Sequence, residues 1–149
     1  SREGLDVRRL LDADFTHVDA RLAAHYGLPD VDGTEFVRVA LPESHRERGG
    51  VLGHGSVLAV TSNPTRTSPV KRGKWILENL LGQAPPPPPP GNDSLPDEGQ
   101  VDSTKSLREQ LAQHRDRAAC AGCHVRMDAL GFALERYDLV GRYRERDAG

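Results

Sequence analysis

Aromatic residues are scarce: three Phe, three Tyr and one Trp make up 5% of the 149 residues. With a hydrophobic fraction of 36%, the apolar side chains fill a modest core and leave room for another source of apolar mass. Neither sign of charge dominates. The 20 Lys and Arg stand against 22 Asp and Glu, a net charge of −2. Phosphate binding needs a concentrated cationic excess, so nucleic acid is excluded as the main partner. No run approaches the roughly 18 to 20 apolar residues of a membrane span. Cysteine is nearly absent as well. Cys120 and Cys123 fall so close together that neither closes a long loop, which excludes a disulfide scaffold and gives both a local job. The chain opens at Ser1 with neither an initiator Met nor a charged-then-apolar leader. It reads as a mature or excised piece of single-domain length.

What is present points to helices. Val7, Leu10, Leu11, Phe15, Val18 and Leu22 recur at three- and four-residue steps, which predicts an amphipathic helix over 4–26, ended by Gly27 and Pro29. Residues 35–41 alternate as a short strand, and the polar stretch 42–50 reads as a surface loop ending in Gly49-Gly50. The apolar segment 51–63 reads as a buried turn leading into a short helix that Pro64 stops. Ser68-Pro69 then carries a cap and first-turn signature for a helix over 69–81. Its inner side is Ile76, Leu77, Leu80 and Leu81, and Gly73 on the same stripe admits a second helix at close range. Pro85 to Pro90 and the Gly, Asp, Ser and Pro of 91–103 form a long proline-rich surface linker. Ser103 or Thr104 caps a helix over about 105–119, with Leu107, Leu111, His114 and Ala118 inward. The tail from His124 onward shows no clean period. The organisation expected is one domain over 1–149, in segments 1–50, 51–84, 85–103 and 104–149.

One motif carries chemistry. Cys120-Ala121-Gly122-Cys123-His124 is C-x-x-C-H, the c-type haem attachment pattern: two thiols add across the porphyrin vinyl groups and the adjacent His124 ligates iron. A thioredoxin-like dithiol needs a preceding strand in a βαβ context, whereas here a charged helix precedes the motif. A zinc site remains the rival, with Cys120, Cys123 and His124 joined by His114 or His54.

The second iron ligand has few candidates. Met127 is the sole methionine, but three residues after His124 it is tethered to the proximal side and reads as packing. His17, His25, His45 and His114 read as solvent-facing or packed. His54 lies between Gly53 and Gly55 in an apolar segment, where a lone imidazole needs a partner. It is the leading distal candidate, against a core His bonded to backbone or a solvent-facing turn. The stretch 65–72, including Arg66, places hydroxyls and cations at a helix start where haem propionates could bind, or simply forms a solvated helix entry. Trp75 packs on the porphyrin or completes the core. Asp12, Asp14 and Asp19 read as a solvated helix face, Gly53-His54-Gly55-Ser56 lacks G-x-S-x-G, and Arg72-Gly73-Lys74 lacks the rest of a P-loop.

Three stretches together, TSNPTRTSPVKRGKWILENLLG, the prolines after it and CAGCHVRMDALGFALERYDLVGRYR, resemble the C-terminal region of planctomycete-type multi-domain cytochrome c-like proteins. LLDADFTHVDARLAAHYG near the start looks like the same family. The resemblance implies covalent haem c, a periplasmic or otherwise extracytoplasmic location and a larger parent protein. It carries Cys120 and Cys123 onto the thioether positions and His124 onto the proximal ligand. Ala129 stands where relatives often show proline after Met-Asp, a departure that touches turn geometry alone. The expectation is a mostly α, rearranged (permuted-order) cytochrome c-like domain, in which the distal segment precedes the attachment helix and helix 69–81 crosses helix 105–119 through Gly73. Its expected function is electron transfer to a partner protein or a neighbouring domain. The alternatives are a haem enzyme with an open sixth position and a structural zinc module.

Overall fold

The computed structural model describes residues 6–87, 104, 108, 109, 111, 112 and 118–145. Helices make up most of the regular structure of these residues, beside a two-stranded sheet. The backbone gathers into two compact units, Ser1–Thr67 with Arg136–Glu145, and Ser68–Glu135 with Arg146–Gly149. The linker 91–103, Pro88 to Pro90, Ser103, Leu107 and His114 lie outside the described residues.

In the first unit the helix expected over 4–26 is three pieces: a 3-10 turn Val7–Leu10, strand β1 Phe15–Val18 and helix α1 Ala20–Tyr26. Thr16 and Val18 are buried while His17 is exposed, so the local period is two. Val18 and Leu22 fit a strand followed by a helix as well as they fit one helix, which is why spacing alone joined them. Asp19 makes the break, its carboxylate accepting from the Leu22 amide at 2.7 Å as the cap of α1. The expected strand is present as β2 Val37–Ala40, antiparallel to β1 with Phe15 opposite Ala40 and Val18 opposite Val37. Val18, Ala23, Tyr26, Leu28 and Leu41 form the core, with Leu22, Val31 and Val39 packed against it. The stretch 42–50 is not simply a surface loop. It forms a 3-10 turn Glu43–Arg48 that ends in a buried arginine. A second 3-10 turn, Val51–Gly53, leads into helix α2 Gly55–Val60, in which Leu58 is buried and Val60 exposed.

In the second unit helix α3 runs Pro69–Asn79. Its start is as the sequence predicts, with Pro69 in the first turn and the Ser68 hydroxyl accepting from the Lys71 amide at 3.3 Å. Arg72, Gly73, Ile76 and Leu77 are buried, while Leu81 lies past the helix end and is exposed. Gly73 does serve a close crossing, but with helix α4 Ala118–Phe132, not with a helix over 105–119. A Cβ on Gly73 would lie 1.8 Å from the Met127 carbonyl oxygen, and one on Gly131 would lie 1.8 Å from that of Pro69. The two pairs run antiparallel. Of the helix expected over 105–119, residues 108, 109, 111 and 112 are helical and Leu111 is buried. The C-x-x-C-H motif does not end a helix. It sits inside one, because Ala, Leu and Met beyond it sustain the helix to Phe132. A buried ion pair closes the unit: Arg72 Nη1 donates to the Leu134 carbonyl at 2.7 Å and to Glu135 Oε1 at 3.1 Å.

Gly73→Ala tests the crossing through its sign. Helix propensity alone would stabilise the alanine variant by about 1 kcal/mol. The clash with a backbone carbonyl reverses that, and we expect a loss of about 2 kcal/mol or more, seen as a lower urea midpoint. A midpoint equal to or above the wild type would contradict so close an approach.

Candidate functional site

The motif residues share one face of α4. Positions 120, 123, 124, 127, 128 and 131 follow the three- and four-residue steps that stack side chains on one side of a helix. Burial follows that stripe: Cys120, Met127, Asp128 and Gly131 are buried and Cys123 and His124 half-buried, while Gly122, Val125, Arg126 and Ala129 are exposed. Met127 and Gly131 occupy the part of the stripe against α3, and the two cysteines and His124 lie toward its N-terminal end. Arg126 hydrogen-bonds the Gln83 side chain beyond the end of α3. Both cysteines are free thiols. His124 Nδ1 donates to Asp128 Oδ1 at 3.0 Å, and the Asp128 side chain is fully buried. With Nδ1 so held, any metal bound by this ring would be bound through Nε2, with the ring oriented by its carboxylate partner.

This donor set fits covalent haem. Two unoxidised thiols at i and i+3, with an imidazole at i+4 on the same face, can reach two separated vinyl groups and one iron. Among the described residues no three His, Cys, Asp or Glu side chains converge as a metal cluster. A tetrahedral zinc site requires that convergence, whereas attachment at the edge of a macrocycle does not; His114, which the zinc reading could use, lies outside the described residues.

His54 belongs to the first unit, on the peptide that joins the 3-10 turn to α2. It is exposed by surface area, which corrects the expectation of a buried turn at this point. Enough protein still crowds the ring that desolvation, then the charges of Arg48 and His17, hold its pKa below the ordinary value. Both flanking peptides are tied down. The Gly53 carbonyl accepts from Arg48 Nη1 at 3.1 Å, and the Gly55 amide donates to the Tyr26 hydroxyl at 2.8 Å. Arg48 Nη1 also donates to the Gly141 carbonyl at 3.1 Å. Only 1% of Arg48 is exposed, and its guanidinium carbon lies 4.0 Å from the Tyr26 ring centroid and 5.1 Å from that of Tyr137. Burial lowers the arginine's pKa. Burial likewise pushes the Tyr137 hydroxyl up to about 12, and that hydroxyl donates to the Glu47 carbonyl at 2.8 Å.

The remaining candidates are dispersed. His17 is exposed on β1, with its ring edge-on to Phe15. His25 Nε2 donates to the Val140 carbonyl at 2.8 Å, which leaves Nδ1 to accept from Arg142 Nε at 3.4 Å. His45 Nδ1 bonds the Ser44 hydroxyl at 2.9 Å. Asp14 accepts from Arg9 and Asp19 caps α1. Arg66 is half-buried in the first unit, its carbonyl accepting from the Asn63 amide at 2.8 Å. Trp75 is half-buried in the second unit, beside the packed stripe of α3. Sequence reasoning passed over Arg48, Tyr26, Gly141 and Asp128. Asp128 had a signal, since a carboxylate four residues after His124 shares its helix face. Arg48 had none within a run of alternating charges.

The depressed His54 pKa sets a direction for pH dependence. The unfolded imidazole, at about 6.5, takes up its proton first as pH falls, so the contribution of His54 to stability is full above that value. It is lost as pH drops from there through the folded pKa. In an NMR titration of the imidazole protons we expect His54 to titrate below the ordinary histidine range and to move back toward it in Arg48→Met. A midpoint at or above the ordinary value in wild type would contradict the environment described.

Neither the curated proteins nor the solved structures contain a match to this chain. A family model described as PSCyt3, protein of unknown function (DUF1588), matches residues 48–147. The match begins at the buried Arg48 and takes in His54, α3 and the C-x-x-C-H motif, whereas residues 10–27, with α1 and β1, precede it. Because it covers more than half of the sequence, the chain belongs to the PSCyt3 family, which bears a cytochrome-type name and has no assigned function.

Proposed function

We propose that this chain is a c-type haem-binding electron-transfer domain of a larger extracytoplasmic protein. The observation that carries the proposal is the C-x-x-C-H face of α4, where two free thiols and a carboxylate-held imidazole share one stripe. The family's cytochrome-type name supports it. Cys120 and Cys123 would each add across a vinyl group, with sulfur bonding one carbon and the thiol hydrogen passing to the other. When bound, haem supplies an iron that cycles between ferric and ferrous and so carries one electron. Asp128 fixes the His124 tautomer and makes its Nε2 a stronger donor to that iron. His54, in the first unit, would be the sequence's candidate for a second nitrogen donor, upstream of the attachment helix in the chain and so in the reverse of the usual cytochrome c order. Trp75 would be the candidate to pack on the macrocycle, and Arg66, in the first unit, the sequence's candidate for a propionate contact. The electron passes to a partner protein or to a neighbouring domain of the parent chain.

Intact mass and the visible spectrum, taken on wild type and His54→Ala from a host that matures c-type cytochromes, test this reading. We expect a covalent haem adduct in both, low-spin in wild type and high-spin in the variant. A wild type with no adduct sinks haem binding. A wild type that binds cyanide or carbon monoxide rapidly without unfolding sinks the closed, six-coordinate form and points to a haem enzyme. In Asp128→Asn the loss of the carboxylate's charge beside His124 is expected to raise the midpoint potential, measured by redox titration against wild type.

A further inference from the structure

Strands β1 and β2 make a sheet of two, which is marginal in water unless something packs on it or extends it. One face is covered, since Thr16 and Val18 are buried and Val39 packs against the core of the first unit. The other face is open. Phe15, His17, Arg38 and Ala40 share it by their register, and alternation places Phe36, one residue before β2, on the same side. Phe36 is 64% exposed, and Val37 beside it 44%. The chain has three Phe, and this small open face carries two of them. The edge of β2 is open as well. The Leu41 amide donates to the Asp14 carbonyl at 2.8 Å, so residues 37, 39 and 41 are the ones that exchange backbone bonds with the first strand. Antiparallel alternation then turns the N–H and C=O of Arg38 and Ala40 away from β1, where no hydrogen bond from the described residues reaches them.

Arg38 sets the sign of what can cover this edge. Its guanidinium carbon lies 4.0 Å from the Phe15 ring centroid, and His17 stands edge-on to the same ring at 5.7 Å. Among the described residues no carboxylate pairs with Arg38. Charges on edge strands commonly repel a second strand. A guarding charge stands clear of the sheet, however, whereas this one lies over a ring of the open face and leaves Phe36 uncovered beside it. A second copy of the chain fits the edge poorly. Two β2 strands paired about a two-fold axis set Arg38 against Arg38, and registers shifted toward the C-terminal end set Pro42, which has no N–H, against Arg38 or Phe36. The shift the other way needs residue 34 extended, and residues 33–35 form a bend.

We infer that the free edge of β2 takes up an extended acidic segment of a partner protein as a third strand. The segment's backbone bonds the outward N–H and C=O groups of Arg38 and Ala40, a carboxylate on it meets the Arg38 guanidinium, and a neighbouring side chain covers Phe36. Holding the arginine over Phe15 in advance lowers the ordering cost of that contact. Every residue involved belongs to the first unit, so the inference stands or falls apart from haem binding.

The test uses the full chain with two capped hexapeptides, one alternating threonine and glutamate and the other alternating threonine and lysine, followed by NMR and amide exchange. At low salt we expect the glutamate peptide to bind about tenfold more tightly than the lysine peptide, with the difference shrinking as salt is added. On binding, the Arg38 and Ala40 amides are expected to exchange about tenfold more slowly, while those of Val37 and Val39, already bonded within the sheet, change little. Arg38→Glu, at an exposed position and checked for an unchanged urea midpoint, is expected to reverse the preference between the peptides, and Phe36→Ser to weaken the glutamate peptide without reversing it. Equal binding of the two peptides, or glutamate-peptide binding that leaves the Arg38 and Ala40 amides unprotected, overturns the inference. So does a dimer without peptide in which those two amides are already protected, since the edge would then serve a second copy. If neither peptide binds and Arg38→Thr drives self-association, Arg38 is an edge guard only and the inference fails.

Discussion

The carbonyl oxygens of Met127 and Pro69 occupy the space that side chains at Gly73 and Gly131 would need, so α3 and α4 meet backbone to backbone at two points one helical turn apart. A chain with few aromatics has little bulk to wedge between helices. Removing side chains at the crossing lets it gain dispersion contacts without large residues. The first unit follows the same rule at smaller scale, where Gly53 and Gly141 bring the backbone about His54 against residues 48 and 55. In both units a candidate donor stands close to a contact of this kind. His124 lies three residues before Met127, and His54 directly follows Gly53.

Two buried arginines show how differently a cation can be accommodated. Arg72 faces Glu135 and a carbonyl, and this pairing is the usual condition for burying charge; breaking such a pair from one side costs about 3 to 5 kcal/mol. Among the described residues Arg48 has carbonyls on one nitrogen and tyrosine rings on its faces, and no carboxylate bonded to it. Cation–π contact with two rings contributes on the order of 1 to 2 kcal/mol each when desolvated, which offsets part of the cost of burial and leaves its pKa depressed. The first arrangement ties the first turn of α3 to the chain that leaves α4. The second joins the ends of two 3-10 turns, at residues 48 and 53, to the distant chain at residue 141, and this explains why a polar side chain with several donors stands where packing alone would favour an apolar one.

Legibility in the sequence divided along physical lines. Helix α3 was readable because its signals are local: a serine cap, a first-turn proline and an apolar stripe within one element. The C-x-x-C-H motif was readable because its spacing is chemical. The segment 4–26 misled because Val18 and Leu22 satisfy two periods, and only the pairing of β1 with β2, from Phe15 opposite Ala40 to Val18 opposite Val37, selects the strand. Gly73 was rightly read as a crossing point, yet its partner was assigned to the wrong helix, since a glycine states how near a neighbour comes and not which neighbour it is. Arg48 was illegible because its burial depends on Tyr26 and Tyr137, far apart in sequence and brought together by the fold.

The stripe on α4 explains why the motif sits inside a helix and not at its end. A helix stripe of this length can be packed along part of its course and left to hold a group along the rest, and both parts are then oriented by a single rigid element. Gly131 and Met127 fix the rotation of α4 about its own axis, because only one rotation brings the glycine onto the Pro69 carbonyl and the Met127 carbonyl onto Gly73. That rotation, once set, also fixes the direction in which Cys120, Cys123 and His124 project, one and two turns earlier. Asp128 completes the arrangement from within the packed half, its buried carboxylate reaching back one turn to hold the His124 ring. The orientation of the donor set thus follows from helix packing and requires no loop to be ordered first.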